Sequence, residues 1–313
     1  MKKSAALSYG LLFSLLIVIV LAFLISSCAS SAGSAEEYYS IGMAYYDLGK
    51  FTEAERWLLR AVATDKTMTA SEYNLGRIAF ETGRYQDASD HFENILKRDP
   101  NNVMALKSAA YTKIRMNDLP NAESLYGRVL ALVPESSDDG YNYAVVLYAM
   151  EKYDECQAVL QRYPVALDEK PDSLLLLARA QSAAERVEAA DNYAKWIAAS
   201  TTPNPKVLYE YGQVLEKTEL YALALEQYRA CLAALRTDQP DLERNRVQFN
   251  IARLLLIADP GNAEGITELN SAIVEGFKDS AALQELLDDS RIDSDQKTDI
   301  SQILENLSTA LPE

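Results

Sequence analysis

The chain is poor in the residues that build most active sites. It has one histidine, His91, among 313 residues. A lone histidine beside the apolar Phe92, read as facing solvent, assembles neither a catalytic triad nor a zinc set. Cysteines number three, at Cys28, Cys156 and Cys231. No phosphate loop is present, because Gly49-Lys50 lacks the preceding glycine and the following Ser or Thr. Asp293-Ser294-Asp295 lacks the glycine and closing glutamate of a calcium loop and reads as a helix cap. Bases are outnumbered, 30 Lys and Arg against 46 Asp and Glu, a net charge of -16. Such a surface repels phosphate backbones, so nucleic acid is excluded as a partner, and anionic lipid headgroups are repelled too. No catalytic constellation, cofactor site or metal site is expected.

What the chain has is a period. In Thr69 to Asn102, Tyr73, Leu75, Gly76, Ala79 and Phe80 recur at helical spacing. Gly83 stops that pattern, Tyr85 opens the next, and Ala88, Phe92, Ile95 and Leu96 carry a second stripe that ends at Pro100. A shift of thirty-four residues reproduces the layout. The place of Gly76 becomes Gly42, Ala110, Ala144, Ala178 and Gly212. The place of Ala88 becomes Ala54, Ala122, Cys156, Ala190 and Ala224, and that of Tyr85 becomes Phe51, Leu119, Tyr153, Val187 and Tyr221. The frame, opening at Ala35, Thr69, Val103, Ser137, Pro171 and Pro205, runs without a slip. Thr52 and Glu55 are placed to form a capping box in the first unit. Pro120 falls in a first helical turn, where a missing N–H costs little, and Pro164 cuts the fourth unit's second helix short.

These units resemble the tetratricopeptide repeat, a helix–turn–helix of this length. The resemblance implies an all-α, right-handed α-solenoid of six to seven units over residues 35–277. A weaker seventh unit starts near Asn245, after a six-residue jump in the frame. Capping helices over residues 278–313 would seal the last apolar surface with Leu283, Leu286, Leu287, Ile300, Ile303, Leu304 and Leu307. Cys156 and Cys231 fall at small or buried places in units that are not neighbours, as core thiols rather than a disulfide pair.

The N-terminus supplies attachment. Lys2 and Lys3 precede an apolar run from Leu11 to Ile25, broken only by Ser14, then Ile25-Ser26-Ser27-Cys28. This resembles the lipobox of bacterial lipoproteins. The resemblance implies a signal peptide over residues 1–27, a diacylglyceryl group on Cys28 and a short tether to residue 34. Ala29, rather than aspartate, follows the cysteine, which leans towards the outer membrane, with the chain facing the periplasm. The alternative is an uncleaved transmembrane anchor, since Ala5 to Ile25 is long enough to span. Cleavage would remove Lys2 and Lys3 and no acid, leaving 28 bases against 46 acids, or -18.

In the tetratricopeptide family the first helices line a concave groove. Carried onto this frame, one inward place holds Tyr39, Tyr73, Lys107, Tyr141, Leu175, Tyr209 and Phe249. A second holds Tyr46, Phe80, Ile114, Tyr148 and Ser182, and a third Met43, Arg77, Tyr111, Val145, Arg179, Gln213 and Arg253. Exposed tyrosine and arginine suit a binding face. The partner-binding residues expected are Tyr39, Tyr73, Arg77, Lys107, Tyr111, Tyr141, Arg179 and Tyr209. The family's carboxylate clamp is not matched, because only Lys107 and Asn142 appear. The expected function is a membrane-anchored, non-enzymatic scaffold for another envelope protein or peptide segment, in envelope assembly, pilus formation or secretion. A small-molecule carrier serving a transporter is the alternative, with Arg77, Arg115, Arg179 and Arg253 holding a carboxylate.

Overall fold

A computed structural model describes residues 33–164, 171–202, 204–236 and 242–310. Cys28, the lipobox and most of the tether lie outside the described residues. Among the described residues there are sixteen α-helices and no strand. None of these helices is long and apolar enough to cross a membrane.

The helices alternate as first and second members of hairpins, and they fall into two units. Unit one, through Leu132, holds α1 (Ala35–Asp47), α2 (Phe51–Thr64), α3 (Thr69–Glu81), α4 (Tyr85–Arg98), α5 (Val103–Arg115) and α6 (Leu119–Leu132). Unit two holds α7 (Ser137–Ala149), α8 (Tyr153–Arg162), α9 (Pro171–Ala183), α10 (Ala189–Ala199), α11 (Pro205–Lys217) and α12 (Tyr221–Ala234). It continues through α13 (Arg244–Ala258), α14 (Ala263–Val274), α15 (Ser280–Asp288) and α16 (Ser294–Ala310).

Four of the first helices start on side-chain caps. Ser34, Asn102, Ser136 and Asn204 each accept a hydrogen bond from a backbone N–H in the first turn. The capping box belongs to Ser34 and Glu37, whose side chains each bond the other's backbone N–H. The expected box at Thr52 and Glu55 does not form. α2 starts two residues earlier, at Phe51, so Thr52 is already inside the helix, and Lys50 at the cap makes no side-chain bond. Glu55 turns instead to Arg84 of the next hairpin, at 2.9 Å.

First helices end in a left-handed residue in the first six repeats. Gly49, Gly83, Asn117, Glu151, Glu185 and Glu219 all have φ between 57° and 77°. The next N–H reaches back five residues, as from Lys50 to the Tyr45 carbonyl (2.9 Å) and from Arg186 to the Gln181 carbonyl (2.8 Å). This is the Schellman ending, which satisfies otherwise orphaned carbonyls and turns the chain within two residues.

The core is a string of small-to-large contacts. In unit one, Ala54 and Leu58 of α2 pack with Leu75 and Ile78 of α3, and Ala88 and Phe92 of α4 pack with Ala79 and Ala109. Unit two repeats this with Cys156 and Leu160 against Leu176 and Ala180, and with Ala224, Tyr228 and Cys231 against Val247, Ile251 and Leu254. Within each unit the second helices named here thus fill the space between their own first helix and the next one. Both buried thiols are free, and burial pushes them up to about 11 for Cys156 and about 12 for Cys231.

The fifth repeat breaks the frame. Its second helix starts at Ala189, and the residues at 0% and 2% exposure are Ala189 and Tyr193, one place before the expected Ala190 and Ala194. Elsewhere Leu58, Phe92, Tyr126, Leu160 and Tyr228 fill this large place. Ala194 is too small to do so, and a one-residue rotation brings the Tyr193 ring in beside Leu175, Ala178 and Val207.

The seventh hairpin, α13–α14, packs as a full repeat. A Cβ on Gly265 would lie 2.8 Å from Leu256 Cδ2, the same close crossing seen in earlier hairpins. α15 and α16 close unit two with Leu283, Leu286, Ile292, Ile300 and Ile303 on a core that includes Phe249, Ala252 and Phe277. Asp293 caps α16, accepting from the Asp295 N–H at 2.6 Å.

Candidate functional site

In unit one the first helices bring Tyr39, Met43, Tyr73, Asn74 and Arg77 to one cleft of about 420 Å³, closed on one side by Asn102 and Met104. Met104 is 60% exposed. Asn74 organises the floor. Its amide donates to the Ala70 carbonyl (2.8 Å) and to the Tyr39 hydroxyl (3.5 Å), and its oxygen accepts from Arg77 Nη1 (3.1 Å). Arg77 Nη2 donates to the Tyr46 hydroxyl at 2.7 Å, and the guanidinium lies 4.7 Å from the Tyr46 ring centre. The Tyr46 hydroxyl in turn bonds Glu81. Burial first, then this bond to a carboxylate, push Tyr46 up to about 12. The cleft is therefore an aromatic wall with two methionines, Met43 and Met104, and one cation, Arg77, held by Asn74 and Tyr46.

The tyrosines at the first inward place are half-buried in the seam between hairpins. Tyr73 packs on Phe92 (centroids 5.6 Å) while its hydroxyl is 3.1 Å from Ser108 of the next first helix. Tyr209 packs on Tyr228 (5.5 Å) and accepts from Asn250 at 3.0 Å. Tyr141 packs on the cluster of Ala144, Cys156 and Leu176. These rings join repeats while showing one edge on the first-helix face. Tyr111, at the third place, is exposed, 49% accessible and 5.3 Å from Phe80. Lys107 is half-buried on the same helix but outside the cleft lining.

The four arginines expected to share a carboxylate are each occupied. Arg77 takes Tyr46, and Arg115 donates to the Tyr85 hydroxyl at 2.6 Å. In unit two, Arg179 holds Glu210 through two bonds of 2.9 and 3.1 Å, and Arg253 holds Glu216. Tyr193 adds a hydroxyl to Glu210 at 3.2 Å and Tyr228 one to Glu216 at 2.6 Å. These contacts tie successive repeats, and Arg179 and Arg253 already hold carboxylates of the chain itself.

His91 does not simply face solvent. Its Nδ1 lies 3.0 Å from the Glu72 carboxylate, with the imidazole 23% and the carboxylate 10% exposed, and Asn94 donates to the same oxygen at 3.1 Å. Glu72 is drawn in because α4 crosses α3 closely at Gly76, which brings the flanking polar residues within reach. Among the described residues no group of three or more His, Cys, Asp or Glu could hold a metal ion.

A repeated hairpin with Schellman endings, small-residue crossings and a shared first-helix face is the tetratricopeptide fold, and the comparisons agree. Tetratricopeptide family models match residues 35–67 and 71–102, and one described as anaphase-promoting complex, cyclosome, subunit 3 matches 115–197. The chain is similar to a crystal structure of a tetratricopeptide repeat protein from Parabacteroides merdae, with a TM-score of 0.53 and 15% identity, covering 80% of this chain and 96% of that one. It is similar too to PilW, titled a widely conserved type IV pilus biogenesis factor, with a TM-score of 0.52 and 15% identity, covering 69% of this chain and 97% of that one. By sequence it is 28% identical to the Drosophila melanogaster protein O-mannosyl-transferase Tmtc3 over 40% of this chain, but spans only 14% of that protein's length. It is 23% identical to a protein of Treponema pallidum (strain Nichols) named as an uncharacterized lipoprotein, over 45% of this chain and 72% of that one.

Proposed function

We propose that the chain is a lipid-anchored, non-enzymatic scaffold of the bacterial cell envelope. It binds a segment of another envelope protein along the first-helix face of unit one. The observation that carries the reading is the cleft of about 420 Å³ between Tyr39, Met43, Tyr73, Arg77 and Met104. It offers apolar contact with bond-making edges, which suits a polypeptide segment. The anchor rests on Ile25-Ser26-Ser27-Cys28 and on the name of the Treponema relative. A surface of net charge -16 has no attraction for anionic lipid, so the acyl chains on Cys28 do the holding, with the outer membrane as the site and the periplasm as the facing compartment. The PilW likeness adds an envelope-assembly role to the reading. The small-acid carrier has less behind it, since Arg179 and Arg253 are already paired with Glu210 and Glu216.

Photo-crosslinking in cells tests the binding face. A benzoylphenylalanine at Met104, in the cleft, should give one discrete protein adduct. The same probe at Val274, 87% exposed and in unit two, should not. Absence of an adduct from position 104 would overturn the face. Cys28→Ser with palmitate labelling tests the anchor separately, and undiminished labelling would exclude it.

A further inference from the structure

The turn of the fifth repeat lacks a ring pair that other repeats carry. In the first, second and fourth repeats the end of the first helix and the start of the second each bring an aromatic ring to one contact. The pairs are Tyr46–Phe51 at 5.6 Å, Phe80–Tyr85 at 5.3 Å and Tyr148–Tyr153 at 5.5 Å. Thirty-four-residue spacing gives Ser182 and Val187 for these two places in the fifth repeat, where Val187 lies in the turn two residues ahead of α10. A cleft of about 410 Å³ stands there, lined by Ser182, Glu185, Arg186, Val187, Val214, Lys217 and Thr218. Val187 is 69% exposed, an apolar side chain left in water.

The cation that would cover such a ring is in place. In the second repeat Arg115 of the next first helix lies 5.9 Å from the Phe80 ring centre and 5.0 Å from that of Tyr85. The residue three repeats on from Arg115 is Lys217, an exposed side chain on the rim of the fifth-repeat cleft. Arg186, the other rim cation, is engaged by Asp154 at 3.0 Å. The fifth repeat therefore keeps a cation in Lys217 and apolar walls in the buried Val214 and the exposed Val187, but has neither ring.

We propose that this cleft is a socket for an aromatic side chain of a partner polypeptide, a tyrosine or phenylalanine inserted between Val187 and Val214 beneath the Lys217 ammonium. The inserted ring restores the contact that other repeats make internally. The volume is within the roughly 300–1,000 Å³ of ligand sites and holds one such side chain with its flanking backbone. A ring face beneath an ammonium adds a cation–π attraction that an aliphatic side chain cannot supply. The socket lies wholly in unit two and stands independently of the unit-one cleft.

The test uses the full-length chain in mild detergent with labelled valine methyls. N-acetyl-tyrosinamide is the probe and N-acetyl-leucinamide the control. The tyrosine probe should move the Val187 and Val214 methyl resonances with a dissociation constant on the order of 1–10 mM. The leucine control should bind about tenfold more weakly. Ser182→Tyr with Val187→Tyr refills the socket from within and should abolish the shifts of Val214. Val187→Tyr alone, at an exposed turn position, serves should the double variant lose its helicity. Lys217→Met, which keeps the stem and removes the charge, should weaken the tyrosine probe several-fold without changing the leucine control. No methyl shift up to the probe's solubility, equal binding of the two probes, or undiminished Val214 shifts in the refilled variant would each overturn the socket.

Discussion

Gly76 of α3 and Phe92 of α4 share one space: a Cβ on Gly76 would stand 2.7 Å from Phe92 Cε1 and 2.8 Å from Cζ. The phenyl ring is 1% exposed and ringed by Ala79, Ala88 and Ala109, so it has nowhere to go. Gly76→Ala should therefore cost about 1–3 kcal/mol, despite alanine's better helix propensity. Gly127, also mid-helix, has nothing within 4 Å of its Cβ position, and Gly127→Ala should stabilise by roughly 0.5–1 kcal/mol. Urea unfolding of the two variants should give opposite signs. A destabilised Gly127→Ala beside a neutral Gly76→Ala would mean the crossing is looser than it stands here.

Three glutamates hold a backbone shape that favours glycine. Glu151, Glu185 and Glu219 have φ of 60°, 57° and 60°, at the place where the first two repeats use Gly49 and Gly83. A left-handed non-glycine residue costs about 1–2 kcal/mol, part of which glycine returns through its own unfolded-state entropy. Each Glu→Gly change should thus stabilise by roughly 0.5–1 kcal/mol, and Gly83→Ala should destabilise by about the same. The sign is read from the shift in urea midpoint at unchanged slope.

Most of the fold was legible because the period carries it. The small place, the large place and the turn recur together, so helix order, hairpin pairing and the short α8 before Pro164 follow from the sequence. The left-handed turn was plainest at Gly49 and Gly83 and weaker at Asn117, while the three glutamates do not advertise positive φ. Thr52 and Glu55 carry a capping pattern that the Schellman turn overrides by starting the helix at Phe51. At the candidate site, the sequence placed Tyr39, Tyr73 and Arg77 on one face, and they meet in one cleft. It could not show that Arg179 meets Glu210 or that His91 meets Glu72. Those pairs depend on helix rotation and on which side chain lies opposite across a hairpin boundary.

The ion pair of Asp289 and Arg291 should make a small contribution that depends on pH. The Arg291 guanidinium bonds the Asp289 carboxylate at 2.6 Å and, with the Arg291 backbone N–H at 2.9 Å, holds the carboxyl down to about 2. A carboxyl of depressed pKa stabilises the fold above its unfolded value, about 3.9, and loses that contribution as pH falls through the folded value. Asp289→Asn should lower the thermal midpoint at pH 6, and the gap should narrow from pH 4 downwards. A gap constant with pH would assign the effect to packing at the end of α15.

The register shift of α10 makes the sharpest structural prediction. In an unslipped frame Ala194 is the core residue and Tyr193 a surface one. In the structure Tyr193 is 2% exposed, packs 5.9 Å from Tyr211 and donates to Glu210, while Ala194 is only partly buried. Tyr193→Ala removes the ring that fills this hairpin and should cost about 3–5 kcal/mol. It also takes a hydroxyl from Glu210, which keeps its two bonds from Arg179 and so stays satisfied. Tyr193→Phe, which loses the hydroxyl alone, should therefore cost only about 0.5–1.5 kcal/mol. Ala194→Ser should stay within about 0.5 kcal/mol of the parent. If Ala194→Ser proves the costly change and Tyr193→Ala the mild one, α10 sits in the unslipped frame.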